Sequence, residues 1–262
     1  MLDRYQQETA VLLATIHETV ERNGRFCAAW LFGSFGRGDN DALSDLDIWL
    51  VVEDEAYQNI VENRLAFVQQ FGEVLFTIDV PHNAPPNGAY LGVSYSAPIA
   101  LHHVDFYWQP RSKSVLPPQM NLLFDKVGIQ KVDEPIVFPG GEPDYDRINQ
   151  PLHFVPYFWM MVMASAKHLW RKPDSETVPF LPFFLPDFHK AQTYLDLPHT
   201  YGESTRCLTA NAKFEYLMRL ADDMQEMAKQ MVAKETAVSL NVHAPVRAYL
   251  SLLQATYSEI VL

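Results

Sequence analysis

Residues 33–47 read GSFGRGDNDALSDLD, and Asp45 and Asp47 lead directly into an apolar run, IWLVV. On a strand, side chains alternate between faces. Both carboxylates therefore point one way, while Leu46, Ile48 and Leu50 point the other way, into a core. Two carboxylates side by side repel unless a cation lies between them. Mg²⁺ takes hard oxygen ligands and shares them with substrate phosphates, so this pair suits a magnesium–phosphate site. A solvated acidic strand end is the plain alternative; the apolar run beyond it argues for a central strand.

The glycines ahead of this pair point to the same chemistry. Gly33, Gly36 and Gly38 follow an apolar strand, and glycine lets backbone amides come close to phosphate oxygens. Ser34 adds a hydroxyl donor. Alone, such a loop could be an ordinary tight turn. The joint pattern of Gly33, Ser34, Gly38, Ser44, Asp45 and Asp47 arises by chance on the order of 10⁻⁵ per chain of this size. It resembles the signature of the DNA polymerase β superfamily of nucleotidyltransferases.

That resemblance implies nucleotide contacts from Gly33, Ser34, Arg37 and Ser44, and a third carboxylate on a later strand beside the first two. Asp79 (TIDVP) and Asp105 (HHVDFYW) both have the right apolar setting. Asp105 is preferred, because its strand is longer and puts Val104, Phe106 and Trp108 on the opposite face. Asp79 runs at once into Pro81 and a loop. His103 shares the Asp105 face. The block from Phe71-Gly72-Glu73 to His103-Val104-Asp105-Phe106 also resembles the aminoglycoside 6-adenylyltransferases. In such enzymes two metals sit about 3.5–4 Å apart. By this likeness Asp45 and Asp47 hold the Mg²⁺ that escorts the NTP, expected to be ATP, and Asp105 joins them on a second Mg²⁺ near the acceptor hydroxyl.

The same enzymes carry a Phe-Trp followed by Lys-x-Leu-x-Arg in the first helix of their second domain, similar to FWMMVMASAKHLWRK at 158–172 here. The resemblance makes Lys167 a phosphate contact and adds Arg171, four residues on and on the same helix face. Periodicity alone reads this stretch as a core helix with a basic last turn. The expected site lies between the two domains.

The elements that must position these residues can be read along the chain. Tyr5, Leu12, Ile16 and Val20 recur at helical spacing over 3–22, and Asn23-Gly24 stops that helix. Strands are expected over 26–32, 46–52 and 73–80, with a helix over 54–71. A loop rich in Pro, Asn and Gly at 81–88 precedes strands near 90–96 and 99–108. From about Pro151 the pattern turns helical, over 152–171, 187–196, 204–234 and 244–260, with a Pro-rich connection at 173–186. The expected fold is an α/β nucleotidyltransferase domain with a mixed β-sheet over 1–145. An α-helical bundle domain follows over 146–262, on the acceptor side.

Composition bounds the partners. The chain has 262 residues, 48% of them hydrophobic, which is a folded composition. Its formal net charge of −12 disfavours DNA or large RNA; acidity that serves solubility is the plain reading, and attraction of a cationic acceptor is the alternative. The two cysteines, Cys27 and Cys207, have no metal-ligand or disulfide-framework pattern. No signal peptide or membrane span is expected, so the location expected is cytoplasmic; a homodimer is compatible with all of this. The acceptor expected is small and hydroxylated, such as an aminoglycoside or lincosamide antibiotic. AMP transfer to a protein, or a non-catalytic nucleotide-binding or antitoxin-type module on the same fold, are the alternatives. The set of Asp45, Asp47 and Asp105 speaks against the last.

Overall fold

Apolar alternation builds the central strands. In the computed structural model, which describes residues 1–140, 144–202, 205–206 and 208–261, strand β1 (Phe26–Leu31) is buried throughout. Strand β2 (Leu46–Val52) is buried at every position except Asp47. Strands β3 (Val74–Ile78), β4 (Ala89–Ser96), β5 (Leu101–Pro110) and β6 (Asn121–Asp125) complete a six-stranded sheet in the order β3-β4-β5-β2-β1-β6. The sheet is mixed: β2 pairs parallel with β5 and antiparallel with β1.

One face of the sheet carries Leu46, Ile48, Leu50, Val104, Phe106 and Trp108, all buried in the main core. Helix α1 (Leu2–Arg22) covers that face with Ile16 and Val20, which repeat at i and i+4. The single helix expected over 54–71 is instead α3 (Asp54–Glu62) and α4 (Arg64–Val68), with a further helical turn at Gln69–Phe71. The break falls at Asn63, whose side-chain amide donates to the carbonyl of Asn59 at 2.8 Å. The Asn63 backbone amide also donates to that carbonyl, at 3.1 Å, and the backbone leaves helical geometry there with φ −103° and ψ 18°.

Two other elements depart from expectation. The glycine loop folds into a short helix, α2 (Gly33–Arg37), closed by Gly38 in the left-handed region. Strand β6 was not expected at all. It is a five-residue edge strand, half exposed, and it pairs antiparallel with β1.

The chain forms two compact units, one of Asp3–Ser96 with His102–Pro143 and the other of Asp144–Leu262 with Met1–Leu2 and Ala97–Leu101. The second unit is helical: α5 (Tyr145–Ile148), α6 (Pro151–Arg171), α7 (Leu181–Tyr194), α8 (Ala210–Ala233) and α9 (His243–Val261). Helix α7 begins six residues before the expected start at 187. Pro182 sits in its first turn, where a missing N–H costs nothing. The aromatic stretch VPFLPFFLPDF thus becomes helix from Leu181 onward, and Leu181, Phe184, Leu185 and Phe188 are buried in the core of this unit. Thr209 caps α8 by accepting from the Ala212 amide. Among the described residues, no helix is long and apolar enough to cross a membrane.

Candidate active site

The polar positions of the sheet interior fall together. Along β2 and β5 the only half-buried positions within the strands are Asp47, His103 and Asp105, before β5 ends at Pro110. Asp47 and Asp105 are direct register partners in the parallel β2–β5 pair. Neighbouring strands lie about 4.8 Å apart, so the two carboxylates stand side by side on one face. Asp45 lies two residues earlier, just before β2, where strand alternation does not set its direction; its charge reaches His102, on β5.

The turn that delivers Asp45 is braced locally. Asp41 Oδ1 accepts from the Leu43 amide at 2.9 Å and from the Ser44 hydroxyl at 3.2 Å. Ser44 Oγ in turn accepts from the Asp41 amide at 3.0 Å. Ser44 is buried, so its hydroxyl here shapes the loop.

Gly33 faces the second carboxylate. Its φ is +61°, and a Cβ placed on it would lie 2.2 Å from Asp47 Oδ2. Glycine is therefore needed twice, for the left-handed backbone and for the space it leaves at the carboxylate. The Phe32 amide donates to the Asp47 carbonyl at 3.1 Å, which ties the start of the glycine turn to β2. Ser34 lies in the first turn of α2, where amides have no partner within the helix. Arg37 is exposed and pairs with Asp39 at 3.2 Å.

Asp105 has its own supports. The Tyr90 hydroxyl donates to Asp105 Oδ1 at 2.5 Å, and His103 Nε2 lies 3.3 Å from the same oxygen. His103 Nδ1 is 2.9 Å from Ser94 Oγ. Burial, and then the Asp105 charge, push the Tyr90 phenol well above its usual pKa, so it stays a donor. Tyr107 is raised for the same reasons, with burial first and then the charges of Asp105 and Asp47. Beyond the carboxylates this face is aromatic: Trp49 and Tyr107 stack at 5.7 Å, and Phe32 meets Tyr107 edge-on at 4.6 Å.

Asp79 is placed elsewhere. It follows β3, three strands from β2 and so roughly 14 Å away, and it pairs with Arg64 at 2.7 Å. His102 points to the other face of β5, against Thr9, Glu8 and the Tyr5 ring. Lys167 and Arg171 lie four residues apart on α6, in the helical unit; Lys167 is half-buried and Arg171 exposed. Of the acidic residues in that unit, Asp187 is buried and paired with Lys190, and Asp222 pairs with His243 and Arg247. Cys207 lies outside the described residues.

Tyr90 and Ser94 were not singled out from the sequence. The alternation in AYLGVSYS puts Tyr90, Gly92 and Ser94 on one face. Nothing in that stretch says that β5 lies beside it with His103 and Asp105 turned the same way.

Among the described residues, no three His, Cys, Asp or Glu side chains converge so as to enclose a metal ion by themselves. An open pair of carboxylates is a different kind of site. Mg²⁺ is commonly held by one or two carboxylates, with water and substrate phosphates supplying the rest. The Asp47–Asp105 pair, with the space that Gly33 leaves at Asp47 Oδ2, fits that second kind.

Residues 14–83 match the family model described as Polymerase beta, Nucleotidyltransferase. The match includes the glycine turn, Asp45 and Asp47, and stops short of Asp105. Among solved structures, a similar chain is the STING-associated CdnE c-di-GMP synthase from Capnocytophaga granulosa. It is 12% identical, with 98% of this chain and 82% of that one covered and a TM-score of 0.28. A likeness of that strength carries no functional inference. No curated protein matches the sequence. The fold class is the one expected: a mixed α/β sheet followed by helices.

Proposed function

We propose that this protein transfers a nucleoside monophosphate, AMP from ATP, to a hydroxyl of a small cationic acceptor and releases pyrophosphate. The observation that carries this reading is the register pairing of Asp47 with Asp105, beside a glycine whose missing side chain leaves room at the Asp47 carboxylate. Two carboxylates about 5 Å apart repel by roughly 3 kcal/mol at an effective dielectric of about 20. A fold that keeps them adjacent in a half-buried strand centre is holding a place for positive charge.

Asp45 and Asp47 would hold the Mg²⁺ that accompanies the triphosphate, and Asp105 would join them on a second. When bound, these ions supply neutralisation of the phosphate charge. The chain's own groups do the rest. The glycine turn brings Ser34 and backbone amides toward phosphate oxygens, with Arg37 and Ser44 as further nucleotide contacts, Ser44 chiefly through the turn it braces. Asp105 orients the acceptor hydroxyl and draws on its proton. That hydroxyl attacks the α-phosphorus, and the bond to pyrophosphate breaks. Acceleration comes from positioning and electrostatics, as in phosphoryl transfer generally. Lys167 and Arg171 are assigned to the phosphates on the resemblance of α6 to the adenylyltransferase helix.

The net charge of −12 supports a cationic acceptor such as an aminoglycoside over a nucleic acid. The test is transfer of label from α-³²P-ATP, with Mg²⁺, onto a panel of aminoglycosides, lincosamides and whole proteins. Label is expected on a small cationic hydroxylated compound and absent with Asp47→Asn. Label on protein alone would overturn the choice of acceptor. ATP binding with no transfer to any acceptor would overturn the reaction, as would near-wild-type activity in Asp47→Asn.

A further inference from the structure

One oxygen of Asp105 is already spoken for, twice. The Tyr90 hydroxyl donates to Oδ1 at 2.5 Å, and His103 Nε2 approaches the same atom at 3.3 Å. The carboxylate fixes one donor direction. An ionised carboxylate only accepts, so His103 Nε2 carries its proton toward Asp105. In the neutral ring His103 Nδ1 then holds a lone pair, and the Ser94 hydroxyl, 2.9 Å away, donates to it. Tyr90 on one side, and His103 with Ser94 behind it on the other, thus meet on a single carboxylate oxygen. Ser94 is wholly buried and Tyr90 nearly so, and both come from β4, the strand next to β5.

Gly92 makes the arrangement possible. A Cβ there would lie 2.7 Å from the Tyr90 hydroxyl, 3.1 Å from Asp105 Oδ1 and 3.3 Å from His103 Cε1. Three of the network's four members, Tyr90, Asp105 and His103, crowd the one position on β4 that has no side chain.

We propose that Tyr90 and His103, with Ser94 behind His103, are positioning residues that commit Oδ1 of Asp105 to the protein and make Asp105 a monodentate ligand of fixed orientation. A carboxylate oxygen has about two acceptor positions. Two donors fill them on Oδ1, so a cation cannot share both oxygens without displacing one donor. This rests on the reading of Asp105 as a member of the metal-holding set. It adds three residues that the superfamily motif does not contain.

The test is Mn²⁺ binding to the full chain, followed by electron paramagnetic resonance and without any acceptor or turnover. Asp105→Asn is expected to weaken Mn²⁺ by about 10–100-fold, as is usual when a ligand or its hydrogen-bonded support is removed. Tyr90→Phe keeps the ring and loses only the donor; it is expected to weaken Mn²⁺ by about 10-fold and to alter the spectrum of the bound ion. Gly92→Ala should act in the same direction with all the partners still present. On an Asp105→Asn background, Tyr90→Phe should change affinity by less than about 2-fold, because its effect runs through Asp105. A Tyr90→Phe protein that binds Mn²⁺ like the wild type overturns the positioning role. So does one that loses as much affinity without Asp105 as with it, since that is what a merely structural role gives. If Asp105→Asn itself binds normally, the metal set of the proposed reaction is wrong and the inference falls with it. Should Tyr90→Phe not fold, Ser94→Ala removes only the far hydroxyl and is read by the same criteria.

Discussion

Gly33→Ala should damage the protein in two separable ways. The first is backbone strain. With φ at +61°, an alanine at this position costs about 1–2 kcal/mol. The second is collision. The new Cβ would stand 2.2 Å from Asp47 Oδ2 and 3.0 Å from its Cγ, where ordinary contact begins near 3.4 Å. Asp47 must swing aside by about 1 Å, and a side chain forced some 30° off its rotamer costs about 0.5–1.5 kcal/mol. Together the two terms come to roughly 2–3 kcal/mol, or about 5–10 °C in melting temperature for a unit of this size. Gly128→Ala is the matched control. Its φ is +71°, but nothing lies within 4 Å of the added Cβ, so only the strain should appear. A displacement of about 1 Å at a reacting group can cost on the order of 10²-fold in rate. Calorimetric melting and titration with Mg²⁺·ATP measure the two effects. Gly33→Ala should melt below Gly128→Ala and lose nucleotide affinity, while Gly128→Ala keeps it. In an Asp47→Ala background the extra loss at Gly33 should vanish. If Gly33→Ala melts with Gly128→Ala and binds Mg²⁺·ATP normally, the collision reasoning is wrong.

Three further outcomes can be checked. Asp105→Asn should lower transfer by about 10²-fold or more, while Asp79→Asn, which only breaks the Arg64 pair, should cost under about 1 kcal/mol and leave transfer intact; equal losses of activity would refute the choice between them. Burial, then the neighbouring Glu53, push the Cys27 thiol up to about 12, so iodoacetamide at pH 8 should spare it in the folded protein and modify it in urea, as read by peptide mass. Burial lowers the His102 pKa below 6.5 against the opposing pull of Glu8, so the ring is neutral in the fold. Its contribution is present above pH 6.5 and lost as pH falls toward the folded value, because the unfolded chain takes up the proton first. The melting-temperature gap between wild type and His102→Phe should therefore shrink from pH 7.5 to 5.5, and a constant gap would refute it.

The local half of the site was legible in the sequence because its residues are neighbours in the chain. Gly33 to Asp47 is one short stretch of chain, and strand alternation alone turns Asp47 away from the core formed by Leu46, Ile48 and Leu50, while Asp45 lies just ahead of the strand, where alternation no longer decides its side. The same rule separates Asp105 and His103 from Val104 and Phe106. What alternation cannot supply is which strand lies beside which. That β5 runs parallel to β2 with Asp105 opposite Asp47, and that Asp79 is left at the far edge with Arg64, follow from sheet order. Sheet order depends on long-range packing. The weak edge strand β6 escaped for a related reason: five residues of which Phe124 alone is buried have little pattern until β1 offers them a partner. The helix break at Asn63 is a local backbone departure, φ −103° and ψ 18°, that periodicity does not count. By itself, then, the sequence determined a glycine turn, a pair of carboxylates and the nucleotide chemistry they suit. Only the tertiary structure decided the third carboxylate's neighbour, the donors Tyr90, His103 and Ser94 that hold it, and the need for glycine at 33 and 92. Those are contacts between residues far apart in the chain, and only the packed sheet brings them within a hydrogen bond of each other.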